Sequence, residues 1–164
     1  MTQNRLDRID VQILATLQDA GNITNVRLAE RVGLSSSPCL QRVKRLEQGG
    51  YIARYSAVLN LHAITEHVVV FTEITLADHD RAAFARFERA MTGHDNVAEC
   101  YLLSGGFDYL VKFVARSVSH YHGLMEALLD SGVGIDTYFS YIAIKPVVEH
   151  QGVALHGLMP SDRA

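Results

Sequence analysis

Apolar positions change rhythm along this chain, from helical spacing in the first fifty residues to alternating strand and helix patterns beyond. Leu6, Ile9, Ile13 and Leu17 recur at three- and four-residue steps, one face of a helix. The pattern ends near Asp19-Ala20-Gly21-Asn22, where Gly21 and Asn22 suit a left-handed cap. Thr24 is placed to cap a second, shorter helix whose buried stripe is Leu28, Ala29 and Val32, and Gly33-Leu34-Ser35 breaks it. A third helix opens in Ser35-Ser36-Ser37-Pro38, where serine side chains can accept orphan amides and proline fits the first turn. It runs to about Gln48 and stops at Gly49-Gly50; residues 51–59 then read as an extended wing or connecting strand. A short helix, a glycine turn and a further helix give the spacing of a helix-turn-helix.

The second half has a different order. After a linker at residues 60–66, His67–Leu76 is strongly β-prone. Phe84, Phe87 and Met91 mark one face of a helix over residues 80–91. Residues 97–104 read as a strand with Val97, Glu99, Tyr101 and Leu103 on one side, and 108–115 as another, joined by the glycine hairpin Ser104-Gly105-Gly106-Phe107. A helix over 118–129 runs through Tyr121, Leu124 and Leu128, and a last strand covers 137–147, stopped near Pro146. Strand, helix, strand, strand, helix, strand predicts a ferredoxin-like βαββαβ sandwich with two helices on one face of an antiparallel sheet. The whole is therefore an α+β chain with domains at 1–60 and 61–150 and a tail at 151–164. The second sheet face keeps apolar groups, which a second copy of the chain would cover.

Charge separates the two halves. Residues 1–55 hold eight Lys/Arg against five acids, and residues 56–164 hold seven against thirteen along with all eight histidines. The overall charge of −3 hides this. At 164 residues, 48% hydrophobic, the chain can bury a core without staples, and its composition excludes disorder. Two cysteines, Cys39 and Cys100, exclude a disulfide scaffold. The absence of a long apolar run and of a signal-peptide layout predicts a cytoplasmic protein away from membranes.

The basic half explains what the third helix is for. Leu40, Val43 and Leu46 fall on one face, and Ser37, Gln41, Arg45 and Gln48 on the other, flanked by Arg42 and Lys44. A major groove admits such a helix, with its first residues at base edges and later cations at phosphates. Ser36, Ser37, Gln41 and Arg42 are the expected base readers of double-stranded DNA; Lys44, Arg45 and Arg54 are the expected phosphate contacts.

Residues 6–14 (LDRIDVQIL), 25–35 (NVRLAERVGLS) and 38–47 (PCLQRVKRLE) resemble the leucine-responsive regulatory protein/AsnC family of bacterial and archaeal transcriptional regulators. Residues 103–111 (LSGGFDYLV) are similar to that family's Gly-x-x-Asp-Tyr hairpin, and 135–141 (IDTYFSY) to its last strand. Ser36 departs from a frequent proline, and Gly106 from a frequent acidic residue. The resemblance implies a winged helix-turn-helix domain followed by an effector-binding and oligomerisation domain. It also implies homodimers that build higher rings such as octamers, with association to the nucleoid. Its effector would be an amino acid, by default leucine or another branched-chain one, held near the glycine hairpin. By position the expected effector residues are Gly105 and Asp108, then Ser104, Tyr109, Thr137 and Ser140. Glycine lets amides approach a carboxylate, and Asp108 can receive an α-ammonium. Read from the residues alone, the alternative is a plain hairpin with Asp108 as its local cap.

Enzymatic signatures are missing. His120 and His122 lie about 200° apart on a helix and cannot easily share an ion. No His-Glu-x-x-His, Cys-x-x-Cys or Gly-x-Ser-x-Gly occurs. No cofactor is expected. Cys39, near a helix start and basic groups, would act as a redox sensor only if its pKa were lowered; otherwise it is a packing residue. Some relatives decarboxylate a sirohaem substrate, and that enzyme is the alternative to a regulator; an intact basic third helix argues against it.

Overall fold

The computed structural model describes residues 6–148 and 152–158, which form two compact units. The expected domain limits at residues 1, 150, 151 and 164, and Arg5 with them, lie outside the described residues. Among the described residues no helix is long and apolar enough to cross a membrane.

The first unit contains α1 (Arg8–Asp19), α2 (Asn25–Arg31) and α3 (Ser36–Gln48). Asp7 caps α1 reciprocally with Asp10, each carboxylate accepting the other's backbone amide. The helix closes at Ala20 (φ −141°), whose amide reaches the Thr16 carbonyl. The expected left-handed Gly21 is therefore not used. Thr24 caps α2 and Gly33 (φ +69°) turns the chain out of it, as the sequence required. Ser35 is the N-cap of α3 but makes no side-chain capping bond. Its start is tied instead by Asn25, whose amide donates to the Ser36 carbonyl at 2.8 Å.

Ile13, Leu28, Ala29, Val32, Cys39 and Leu46 make this unit's core. Leu40, expected in the buried stripe, is exposed, and Cys39 is buried in its place. Val43 and Leu46 pack in the core as expected, so the difference lies at the first turn of the helix. Gly50 (φ +72°) ends the α3 region. Beyond it, residues 53–59 form no strand among the described residues. The unit also takes in Val148 and the described residues 152–158. Here Gln18 donates to the Val153 carbonyl at 3.0 Å, and Leu155 lines a cleft with Leu14, Leu17 and Ile52.

The second unit spans Asn60–Val147. The expected linker holds one helical turn, α4 (Leu61–Ile64), capped by Asn60. Then follow β1 (Val68–Leu76), α5 (Arg81–Thr92), β2 (Val97–Leu102), β3 (Tyr109–Ala115), α6 (Val118–Asp130) and β4 (Ile135–Ile142). The sheet is antiparallel with order β2-β3-β1-β4, the ferredoxin-like arrangement. Its core, between the sheet and the helices, contains Val70, Ile74, Phe87, Met91, Tyr109, Val111, Phe113, Tyr121, Met125 and Leu128.

Two strand expectations change. A bulge between Val97 and Glu99 breaks the alternation of β2, so Val97 does not share a face with Glu99 and Tyr101. β4 starts at Ile135 and ends at Ile142, well before Pro146, although the next amide, that of Ala143, still donates to the Val69 carbonyl at 2.9 Å. A one-turn α7 (Leu155–Leu158) closes the described chain.

Candidate DNA-reading and effector sites

On α3, with Ser37 as reference and about 100° per residue, Gln41, Lys44 and Gln48 lie within about 40° of it. All four are exposed. Leu40 stands beside this stripe, 43% exposed. Sequence reasoning missed it as a surface residue because a leucine at helical spacing is ordinarily core. Ser36 is exposed at the start of the helix, and Arg54 is exposed on the extended segment, across an open cleft from the end of α1.

Arg42 and Arg45 are placed differently from the rest. Arg42 Nη1 donates to Asp7 Oδ2 at 2.6 Å and to Asp10 Oδ1 at 2.8 Å, and Arg45 Nη2 donates to Asp10 Oδ2 at 2.5 Å. The Asp10 side chain is fully buried, whereas those of Arg42 and Arg45 are 28% and 43% exposed. Burial works to raise the Asp7 carboxyl, but the Arg42 hydrogen bond, the Asp10 amide and the Arg42 charge outweigh it and hold it below the ordinary carboxylate value. A carboxyl lowered in the folded state stabilises fully above its unfolded pKa of about 3.9 and loses that contribution as pH falls through the folded value. Asp7→Asn should therefore be less stable than the parent at neutral pH, with the gap narrowing as pH falls below the ordinary carboxylate value of about 3.9. Urea denaturation at both pH values checks this; a gap that persists unchanged in acid contradicts it.

Cys39 has no sensor character. It is fully buried, and burial pushes its thiol pKa up, opposite to the shift a reactive thiolate needs.

At one end of the sheet, the hairpin between β2 and β3 meets the last residues of β1. The Asp108 amide donates to the Ile74 carbonyl at 3.0 Å, and the Leu76 amide donates to Asp108 Oδ2 at 2.8 Å. His79 Nε2 lies 3.1 Å from both carboxylate oxygens. Asp108 thus caps the end of β1, 32 positions away in the chain, rather than its own hairpin. Thr137 pairs with Thr75 at this same end of the sheet, and Ser104 and Gly105 are exposed in the hairpin. An added Cβ at Gly105 or Gly106 would meet nothing within 4 Å, so this protomer does not itself require glycine there.

Two expected effector residues face elsewhere. Tyr109 is 1% exposed, its ring 4.5 Å from that of Phe87 and its hydroxyl donating to Glu88 at 3.0 Å. Ser140 lies on the helix side of β4, in a chain with the Tyr121 hydroxyl (2.6 Å) and Thr72 (2.8 Å). Thr137 lies on the opposite side of β4, so these two do not converge within the protomer. Among the described residues no cluster of three His, Cys, Asp or Glu side chains could hold a metal.

The open sheet face carries two rows across all four strands. One is Glu99, Lys112, Phe71 and Tyr141; the next is Tyr101, Leu110, Glu73 and Phe139. Phe139 is 65% exposed, and Tyr101 and Tyr141 are 53% exposed. Lys112 pairs with Glu99 at 2.9 Å, and the neutral Tyr141 hydroxyl donates to Glu73 at 3.3 Å.

Comparison with known proteins identifies the two units. Residues 6–53 match a family model described as winged helix-turn-helix DNA-binding, and residues 69–153 match the Lrp/AsnC ligand binding domain. The chain is 44% identical over 143 residues to the transcriptional regulatory protein DoeX of Halomonas elongata, covering 87% of this chain and 90% of that one. It is 42% identical over 142 residues to the leucine-responsive regulatory protein of Escherichia coli K12, covering 87% of each. Its fold is similar to a transcriptional regulator from Neisseria meningitidis in complex with L-methionine, with a TM-score of 0.88, 30% identity, and coverage of 94% of this chain and 100% of that one. All three are regulators.

Proposed function

Because the chain belongs to the Lrp/AsnC family of DNA-binding transcriptional regulators with a ligand-binding domain, we propose that it reads DNA through the outward stripe of α3 and answers to an amino acid at the hairpin end of its sheet. The observation that carries the first part is the exposed row Ser37, Gln41, Lys44 and Gln48 on a helix whose other side is buried. In this reading Ser36, Ser37 and Gln41 meet base edges, Leu40 packs on a thymine methyl, and Lys44 and Arg54 meet phosphates. Arg42 and Arg45, expected at the DNA, are engaged by Asp7 and Asp10.

For the effector, Ser104, Gly105, Asp108 and Thr137 form the proposed site, with Tyr109 and Ser140 behind it in the fold. Glycines that the protomer does not need leave room for a close approach from outside, and Asp108 supplies a carboxylate for an ammonium group. The L-methionine complex of the Neisseria regulator supports an amino acid as the ligand class; leucine or another branched-chain residue is the first to try. The aromatic open face is where two copies would pair, and dimers would assemble further, to octamers by family habit. Such an oligomer presents several α3 helices to half-sites on one face of the duplex, in the nucleoid. Effector binding would shift assembly or α3 spacing with a coupling on the order of 1–3 kcal/mol.

The test is a titration of the protein on DNA upstream of its own gene against an unrelated fragment of equal length, at two salt concentrations. Preference for the upstream fragment that survives higher salt is expected, and adding single amino acids should then change the affinity or the stoichiometry. Absence of binding to either fragment would overturn the α3 reading.

A further inference from the structure

The Asp7, Asp10, Arg42 and Arg45 cluster is more than a brace between two helices. Asp10 is a fully buried carboxylate whose two oxygens are taken by Arg42, by Arg45 and by the Asp7 amide at 3.0 Å. Exposed ion pairs are weak because solvent replaces either partner cheaply. This one differs on a single side: the arginines can reach water, but Asp10 cannot. If either arginine swung to a phosphate, it would leave a buried charge under-compensated, which costs far more than a rim contact returns.

Position on the helix agrees with that asymmetry. With Ser37 as reference, Arg45 lies about 80° round the axis and Arg42 about 140°, leaning towards α1 rather than along the stripe. Two of the cations that make the third helix look basic in sequence are therefore neutralised within the unit.

We infer that Asp10 is a positioning residue for DNA recognition, withholding Arg42 and Arg45 from the phosphate backbone and fixing the rotation of α3 so that Ser37, Leu40, Gln41 and Lys44 face the groove. Withheld cations lower the sequence-independent part of binding, which rests on phosphate neutralisation, and so raise the ratio of specific to non-specific affinity. The inference rests on α3 being the DNA-reading helix.

Salt dependence separates this role from a merely structural one, because each phosphate contact adds about 0.9 to the slope of log affinity against log salt. The full-length protein and its Lys44→Ala, Arg45→Ala and Asp10→Asn variants are titrated on the upstream and unrelated fragments over a range of salt. Lys44→Ala should lower the slope by about 0.9. Arg45→Ala should leave it unchanged. Asp10→Asn, folded by circular dichroism, should steepen the slope on unrelated DNA by about 0.9 for each arginine released and should reduce the specificity ratio roughly tenfold. A slope lowered by about 0.9 in Arg45→Ala overturns the inference, as does an unchanged slope in folded Asp10→Asn. If Asp10→Asn does not fold, the exposed Arg45→Ala variant decides alone. A parent protein that binds neither fragment overturns the reading of α3 itself, and the inference with it.

Discussion

Phe139→Asp should turn the assembled protein into folded monomers and weaken its binding to a two-half-site DNA fragment by about 10²–10⁴-fold, the size of a lost avidity term. Phe139 is 65% exposed in the protomer, so the change removes no core contact. It stands in a row with Tyr101, Leu110 and Glu73, beside a second row containing Phe71 and Tyr141. Exposed aromatics that cluster on one face are the residues that anchor interfaces, and a carboxylate placed among them would be desolvated without a partner. Sedimentation velocity gives the mass, and a DNA titration with one or two half-sites gives the avidity. A variant that stays assembled would remove the open sheet face from the dimer interface. A monomer that binds two half-sites as tightly as the parent would show that pairing of DNA-reading units does not depend on this face.

Phe87→Ala should destabilise the second unit by about 3–5 kcal/mol, a large part of the 5–15 kcal/mol that holds an ordinary domain together. Phe87 is fully buried on α5, and its ring lies 4.5 Å from Tyr109, which in turn bonds Glu88 on the same helix. Removing the ring leaves a void between α5 and β3 that Met91 and Phe84 can only partly fill. Urea denaturation followed by circular dichroism measures the loss. A cost under about 1 kcal/mol would mean that the site collapses freely and that the core is less tightly packed than its contacts indicate.

Much of the architecture was legible because it depends on local rules. The cap Thr24, the left-handed Gly33 and Gly50, and the apolar spacing of α5 and α6 act within a few residues of themselves. Reading them in order gives three helices followed by βαββαβ. The resemblance of residues 6–14, 25–35, 38–47 and 103–111 to the Lrp/AsnC family pointed to the same two units, and the family matches agree with it.

The sites were less legible, since a residue's type does not say which way it faces. Arg42 and Arg45 are basic residues on a DNA-type helix, and only their distance to Asp10, 32 and 35 positions away in the chain, shows that their charge is already matched. Leu40 is exposed and Cys39 buried, since hydrophobic type alone does not fix which of two adjacent residues faces the core. Tyr109 sits within the hairpin motif, but β3 directs its ring into the core, while Ser140 and Thr137 are divided by the alternation of a single strand.

The sequence by itself determined the order of elements, the two-unit plan and the family, because periodicity, capping and turn chemistry are short-range and largely independent of what packs where. Only the tertiary structure decided which α3 cations are tied to carboxylates, which hairpin residues face outwards, and where β2 bulges and β4 stops. Those outcomes depend on pairings between residues far apart in the chain, where burial of one partner, as at Asp10, fixes what the other can do.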